Sequence, residues 1–432
     1  MTVSTPRAVT PSLAPKKYDV ANLTFSDLGK TTARPLVMLK DRKTVIGPDA
    51  TTQFLLYFST NLDSSTPTWN SMRHSFSGRF IGMVLELANG ELLIANNGLS
   101  GPSSMYVSSG FPAAQAAGYT NASLDAIVWT LCLTMVSGGP TGAYSQHYSS
   151  IGTDGTVVIS ESGSQTTTAR AADPFTQGAT RVWISRDNAK TFTQIFDIYD
   201  YGVTQGMPTN VSTNLHIHGV SYDQLWNRVI VCYGDDTGQA RAVAGAGNAE
   251  AVFIDFDVTN TQTAVTKVPL GADYINMSSG QFIVCTPTPH AYIYTCDVSS
   301  PQVIGIVPRN GYRAFGAWRN GPTQQGNGVN CRVTGLPYAG APIFFPCNGS
   351  ASSPANASPL NWVVAVTDNG GKTFTEITGD VPAQTPAITN TGIPQVLGPF
   401  LSGKIIMPNT GMYVNNDNTK TSMIADLVYP GA

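Results

Sequence analysis

Few residues are available to do chemistry in this chain. There are five histidines among 432 residues, and charged side chains make up 12%. Two histidines, His216 and His218, stand two apart in Asn214-Leu-His-Ile-His-Gly-Val-Ser-Tyr-Asp223. On an extended strand, residues two apart share a face, so both imidazoles would point the same way. With Asp235 from the adjacent strand they make a candidate divalent-metal set, and no other cofactor is expected. The same pair would also serve as interior packing that hydrogen-bonds its neighbours. Glu161 is the second centre. Paired with Asp235 or Asp236 it would offer the two carboxylates of a glycoside hydrolase, about 5 Å apart if retaining and up to about 9.5 Å if inverting. Tyr233 and Trp318 have rings suited to stacking on sugars, and equally suited to a core.

The elements that must position these residues are strands. From about residue 34 the chain repeats one theme: an apolar run, a short turn, a second apolar run, a polar loop, then a third run and another turn. The runs are short and rich in Val, Ile, Tyr and Phe, with Gly, Asn and Asp between them. Asn89-Gly90 and Asp154-Gly155 are two such turns. The fifth unit holds Phe282-Ile-Val284, Tyr292-Ile-Tyr294 and Val303-Ile-Gly-Ile306. The sixth opens with Ala314 to Trp318, and the seventh runs from Val396 to Val428. Helical periodicity is absent. Pro112 to Asp125, where Ala is frequent, is the place for one short helix.

Two of the third-run turns share a pattern. Ser185-Arg-Asp-Asn-Ala-Lys-Thr-Phe192 follows Arg181-Val-Trp-Ile184, and Thr367-Asp-Asn-Gly-Gly-Lys-Thr-Phe374 follows Trp362-Val-Val-Ala-Val366. Ser185, Asp187, Thr191 and Phe192 correspond to Thr367, Asn369, Thr373 and Phe374, with Gly371 at the position of Ala189. An Asp or Asn side chain can hydrogen-bond its own backbone in such a turn, Gly permits positive φ, and the aromatic anchors the next strand. A degenerate copy stands at Ser59-Thr-Asn61, with Trp69 as its aromatic. The pattern resembles the Asp-box, or BNR repeat, of sialidase-like β-propellers, including those of phage tail and receptor-binding proteins. That resemblance implies an all-β chain: one propeller of four-stranded antiparallel blades over residues 21–432, seven preferred and six the alternative, behind an extended arm over residues 1–20.

In that family the third-to-fourth-strand turn lies on one face. Ligand lies on the other, among loops that enter first strands and leave second strands. On this geography all five histidines fall on the ligand-type face. His147 precedes a first strand, His216 and His218 open one, and His290 follows the second strand of the fifth unit. Glu161 and Asp235 leave second strands, and Arg319 lies near the start of a first strand. The segment from Asn214 to Asp236 also resembles a His-x-His blade of uncharacterised Asp-box proteins, many from phage or bacteria. A sialidase needs an arginine triad, a Tyr–Glu pair and an acidic Asp. Its Arg-Ile-Pro signature is missing here, since Arg34-Pro-Leu36 is a poor match.

Composition narrows the setting. A net charge of −3 leaves no basic face for nucleic acid and no polybasic membrane patch. The longest apolar stretch, Ala126 to Val136, is too short to cross a bilayer. The six cysteines form no Cys-x-x-Cys pair, and most sit in apolar runs as buried thiols; Cys331 and Cys347, in loop-like sequence, are the best disulfide candidates. Residues 1–17 lack the apolar core of a secretory signal, so work outside a cell implies another route, such as release with a virus particle at lysis. The expectation is a virion-associated, extracellular propeller that binds a host-surface glycan or receptor, or serves structurally. It would attach to other virion proteins through the arm, with self-association open. The alternative is a glycoside hydrolase.

Overall fold

The computed structural model describes residues 25–27, 37–49, 55–72, 79–98, 104–135, 149–161, 181–204, 216–234, 250–268, 282–296, 303–309, 316–319, 334–335, 343–347, 363–367, 375–378, 397–407 and 423–426. Most of this is strand. In chain order come β1 (Phe25–Asp27), β2 (Val37–Met38), β3 (Val45–Pro48), β4 (Leu56–Ser59), β5 (Asn70–Ser71), β6 (Arg79–Glu86), β7 (Leu92–Gly98), β8 (Ser104–Ser109) and β9 (Val128–Thr134). Next are β10 (Ser149–Ile151), β11 (Val157–Ser160), β12 (Arg181–Ser185), β13 (Thr193–Asp197), β14 (His216–Asp223), β15 (Arg228–Gly234), β16 (Glu250–Phe256), β17 (Gln262–Lys267) and β18 (Phe282–Pro287). The last are β19 (Ala291–Cys296), β20 (Val303–Pro308), β21 (Gly316–Arg319), β22 (Thr334–Gly335), β23 (Ile343–Cys347), β24 (Val363–Thr367), β25 (Thr375–Thr378), β26 (Lys404–Met407) and β27 (Met423–Asp426). In six of the seven sheets formed by the described residues, four strands consecutive in sequence lie side by side in chain order, and the pairs are antiparallel. Repetition of this four-stranded antiparallel meander is the blade organisation of a β-propeller, and the chain has that fold.

The chain divides into two compact units. The first, residues 72–287, contains the sheets β6–β9, β10–β13 and β14–β17, with β18 packed against β14 and β15. Its core lies between sheets, and β11 shows how. Both faces of this strand are covered, so all four residues are buried. Val157 and Ile159 join Met83, Leu85, Leu93, Ala95 and Met105 of the preceding sheet. Val158, on the other face, joins Val182, Ile217, Val220, Val229 and Val231. The period of two thus distributes one strand between two cores. Each such side chain contributes about 1.5–3 kcal/mol of burial.

In each of these three sheets the fourth strand carries one extra residue opposite the third: Cys132 in β9, Ile195 in β13 and Thr263 in β17. A bulge of this kind increases local twist, and its recurrence is part of the repeat.

The second unit holds β2–β5 and β22–β25 as complete sheets, β19, β20 and β21 paired in chain order, and a sheet of order β1-β27-β26. In the last, Phe25 lies opposite Ala425 and Asp27 opposite Met423, so the start of the chain supplies a strand beside its end. Arg42, in the β2–β3 turn, donates through Nε to the Pro399 carbonyl at 2.8 Å and through Nη2 to that of Phe400 at 3.0 Å.

Several expectations are corrected. Residues 316–319 pair with β20 as a fourth strand, because Ile304 lies opposite Trp318 and Val303 opposite Arg319; they do not open the sixth unit. Pro112 to Asp125 holds two helices, α1 (Phe111–Ala116) and α2 (Asn121–Asp125). Glu91 accepts from the Gly110 and Phe111 amides at the start of α1, and Thr120 Oγ1 accepts from Ser123 N at 3.2 Å. A third helix that sequence periodicity did not signal, α3 (Ile198–Thr204), follows β13 directly. Residues 1–20 and 408–422 lie outside the described residues.

Candidate functional site

The turn between β12 and β13 is built on Asp187. Its Oδ1 accepts from Ser185 Oγ (2.7 Å) and from the Lys190 and Thr191 amides (3.0 Å each), and its Oδ2 accepts from Thr191 Oγ1 (2.7 Å). Ser185 Oγ accepts in turn from Ala189 N at 2.9 Å. Burial raises the Asp187 carboxyl pKa, but the bonds from Thr191, Ser185 and Lys190 outweigh it and hold the group below the usual carboxylate range. Asn188 and Ala189 take φ of 57° and 63°, which lets the chain reverse within this short segment. Phe192 packs into the core shared with the preceding sheet.

The β4–β5 turn repeats the arrangement with an amide in place of the carboxylate. Asn61 Oδ1 accepts from Ser59 Oγ (3.3 Å), Thr68 N (2.9 Å) and Thr68 Oγ1 (3.0 Å), and Trp69 packs on the local core. Asp257, after β16, accepts from the amides of Thr259 and Thr261. For the 367 copy only Thr367, a buried residue of β24, is described; Asn369, Gly371, Thr373 and Phe374 lie outside the described residues.

The β12–β13 turn also joins its neighbours. Asn188 Oδ1 accepts from Asn89 N of the β6–β7 turn at 3.3 Å. Arg186 Nη1 donates to Thr156 Oγ1 and to Tyr222 OH, both at 3.0 Å, and its guanidinium stacks near the Tyr222 and Phe256 rings. Between β13 and β17 these contacts leave a cleft of about 370 Å³, with Ile184 and Phe256 at its base.

The candidate catalytic group sits at the other end of the same sheet. Glu161 follows β11, beside the start of β12, and its amide donates to the Arg181 carbonyl at 2.9 Å. Its side chain is fully buried. Oε1 accepts from Trp183 Nε1 at 3.1 Å, whereas Oε2 is buried without a partner among the described residues. Arg181 pairs across the strands with Asp197 at 3.7 Å. Burial is the main cause that lifts the Glu161 pKa to about 7; the Trp183 bond and the Arg181 charge oppose it, and Asp197 adds to it.

His218 also lies at this end. β14 packs against β10 and β11, and Tyr222 N near its far end donates to Ser150 Oγ of β10 at 2.9 Å, so β14 begins at the Glu161 end. However, Ile217 pairs with Tyr233 and Gly219 with Cys232, which makes His218 the extra residue of a bulge. The alternation expected to align His216 with His218 is broken there. His218 is buried, while the His216 side chain, Asp235, Asp236 and His147 lie outside the described residues. Among the described residues no group of three His, Cys, Asp or Glu side chains could hold a metal. Tyr233 belongs to a core cluster and presents no sugar platform. His290 is exposed in the turn between β18 and β19, and so does not follow a second strand as expected. Trp318 and Arg319 lie on β21; their side chains are outside the described set. Cys132, Cys232 and Cys285 are not in disulfides, with burial pushing Cys132 up to about 12 and raising Cys232 as well; Cys331 is not described.

No protein-family model matches the chain, and no curated protein matches it in sequence. Solved structures similar to it include YCF48 bound to D1 peptide, at 11% identity over 98% of this chain and 99% of that one, with a TM-score of 0.44. Raptor of Chaetomium thermophilum gives 9% identity over 96% of this chain and 29% of that one, at 0.47. Prolyl oligopeptidase B of Galerina marginata gives 8% over 90% and 47%, at 0.43. The chain spans less than half the length of the last two. Likeness of this degree carries nothing about what the chain binds or does.

Proposed function

We propose that this chain is an Asp-box β-propeller of seven blades, one per sheet, which acts as a virion-associated module binding host-surface glycan. Residues 1–20 would be its attachment arm. Glu161 is the observation that favours a binder over a hydrolase. A glycosidase acid must meet the leaving-group oxygen of a sugar, but this carboxyl is wholly buried and one oxygen is held by the Trp183 indole. The turn chemistry of Ser185, Asp187 and Thr191, repeated with Asn61, supports the Asp-box reading. A low-charge surface rich in Ser, Thr, Asn and Gly agrees with the extracellular setting.

The test is incubation with surface polysaccharides of candidate hosts, reading both retained polysaccharide and new reducing ends. Retention without cleavage is expected. Reducing ends that vanish in the double change Glu161→Gln, Asp235→Asn would make the chain a depolymerase. Neither retention nor cleavage would leave a structural propeller.

A further inference from the structure

We propose that the cleft between β13 and β17, on the Asp-box side of the first unit, is a binding subsite for a neutral saccharide. Arg186 and Asp187 place one cation and one anion side by side on its wall, so the pair of charges sums to zero. The two are bound to other things. Asp187 is turned into its own loop, and Arg186 forms no ion pair among the described residues. Arg186 Nη1 is used by Thr156 and Tyr222, while Nη2 is buried with no acceptor among those residues. In a chain with 12% charged residues, a half-buried guanidinium without a carboxylate calls for an explanation.

The rim supplies the rest. Gln194 and Gln262 are exposed and line the cleft from opposite sheets, and their side-chain amides hydrogen-bond to no described residue. Asn260, which also lines the cleft, uses its Oδ1 for Asn227, and its side-chain nitrogen donates to no described residue. Each primary amide offers donors and an acceptor together. A ligand hydroxyl also donates and accepts, so vicinal hydroxyls match such a rim better than a purely anionic or cationic group does. Phe256 and Ile184 are core residues that close the floor of the cleft, with the Arg186 guanidinium over the Phe256 ring, so recognition falls to the amides of the rim. The volume of about 370 Å³ is that of a small-ligand site.

This site is at the opposite end of the sheet from Glu161, so it stands apart from the ligand-type face of the family geography. The experiment is saturation-transfer NMR with maltose, lactose, cellobiose and N-acetylglucosamine on the full chain, with glucuronate as the charged comparison. At least one neutral sugar is expected to bind. The double change Gln194→Ala, Gln262→Ala should weaken it by about tenfold or more, since roughly 1 kcal/mol is lost per bond. Gln262→Trp, which fills the cleft, should abolish it. Both positions are exposed, and a matching melting curve shows that the fold is kept. Three outcomes overturn the proposal: no neutral sugar binding, binding indifferent to both variants, or glucuronate binding tenfold more tightly than any neutral sugar. Polysaccharide retention unchanged in Gln262→Trp would leave the function above standing while removing this cleft from it.

Discussion

Glu161→Gln tests the strongest electrostatic statement in this structure. Folding raises the Glu161 pKa from 4.5 to about 7. Between those values the folded chain binds more protons at this site than the unfolded chain, so stability falls as pH rises. The contribution is fully present below about pH 4.5, is lost through the window up to about pH 7, and is constant above it. At about 1.4 kcal/mol per pH unit, the loss is on the order of 3 kcal/mol. Gln is neutral throughout and its amide oxygen can still accept from Trp183 Nε1. The variant should therefore gain on the wild type by roughly 3 kcal/mol between pH 4.5 and pH 8. Urea midpoints of both proteins, taken across that range, read the difference, and shared titrations cancel. Parallel profiles, with less than about 1 kcal/mol of divergence, would refute the reasoning. They would mean that Glu161 is solvated, and the argument against a catalytic role would fall with it.

Asp187→Ala should cost about 1–3 kcal/mol in urea unfolding, and Asp187→Asn distinctly less, because Asn61 does the same work in the β4–β5 turn. Ala189→Val puts a β-branched residue at φ 63° in a buried position, and should lower stability by about 2 kcal/mol or more in the same assay. Tyr222→Phe removes a hydroxyl that accepts from Arg186 and lies 3.0 Å from both Asp154 Oδ2 and Asn227 Oδ1; a loss of about 1–3 kcal/mol is expected. Gly152→Ala would set a Cβ 2.5 Å from Asp154 Oδ1 and 2.7 Å from Tyr222 Cε1, so its melting temperature should fall by several degrees, roughly the effect of 1–3 kcal/mol of overpacking.

The meander was legible in the sequence where a turn residue and two apolar runs stood together. Asn89-Gly90 and Asp154-Gly155 turn where expected, and Gly90 and Gly155 take φ of 84° and 85°. The strands either side, β6 with β7 and β10 with β11, need only local information. Assignment of a run to a sheet needs more. Residues 316–319 look the same whether they end one sheet or begin the next, and only their pairing with β20 decides it. β1 is three residues of Phe-Ser-Asp, with no alternation to read, and its partner lies at the far end of the chain. Long-range pairing of so short a strand leaves no local signature.

The same limit applies to chemistry. Glu161 was visible as a carboxylate leaving a second strand, but the groups that act on it, Trp183 and the pair Arg181–Asp197, are not adjacent to it in sequence. The alternation of the histidine pair was not legible for a different reason. Period two holds only on a regular strand, and a single inserted residue at 218 undoes it. Arg186 occupies an unspecified position of the repeated turn pattern, so its residue type carries no signal in the sequence. What gives it importance is Tyr222 and Phe256, which belong to the next sheet. The β12–β13 turn fixes its own loop through Asp187, and in doing so sets the residue before it against the neighbouring sheet. A pattern that is structural by its named positions can therefore build a site with its unnamed one, and Arg186 is where that should be sought.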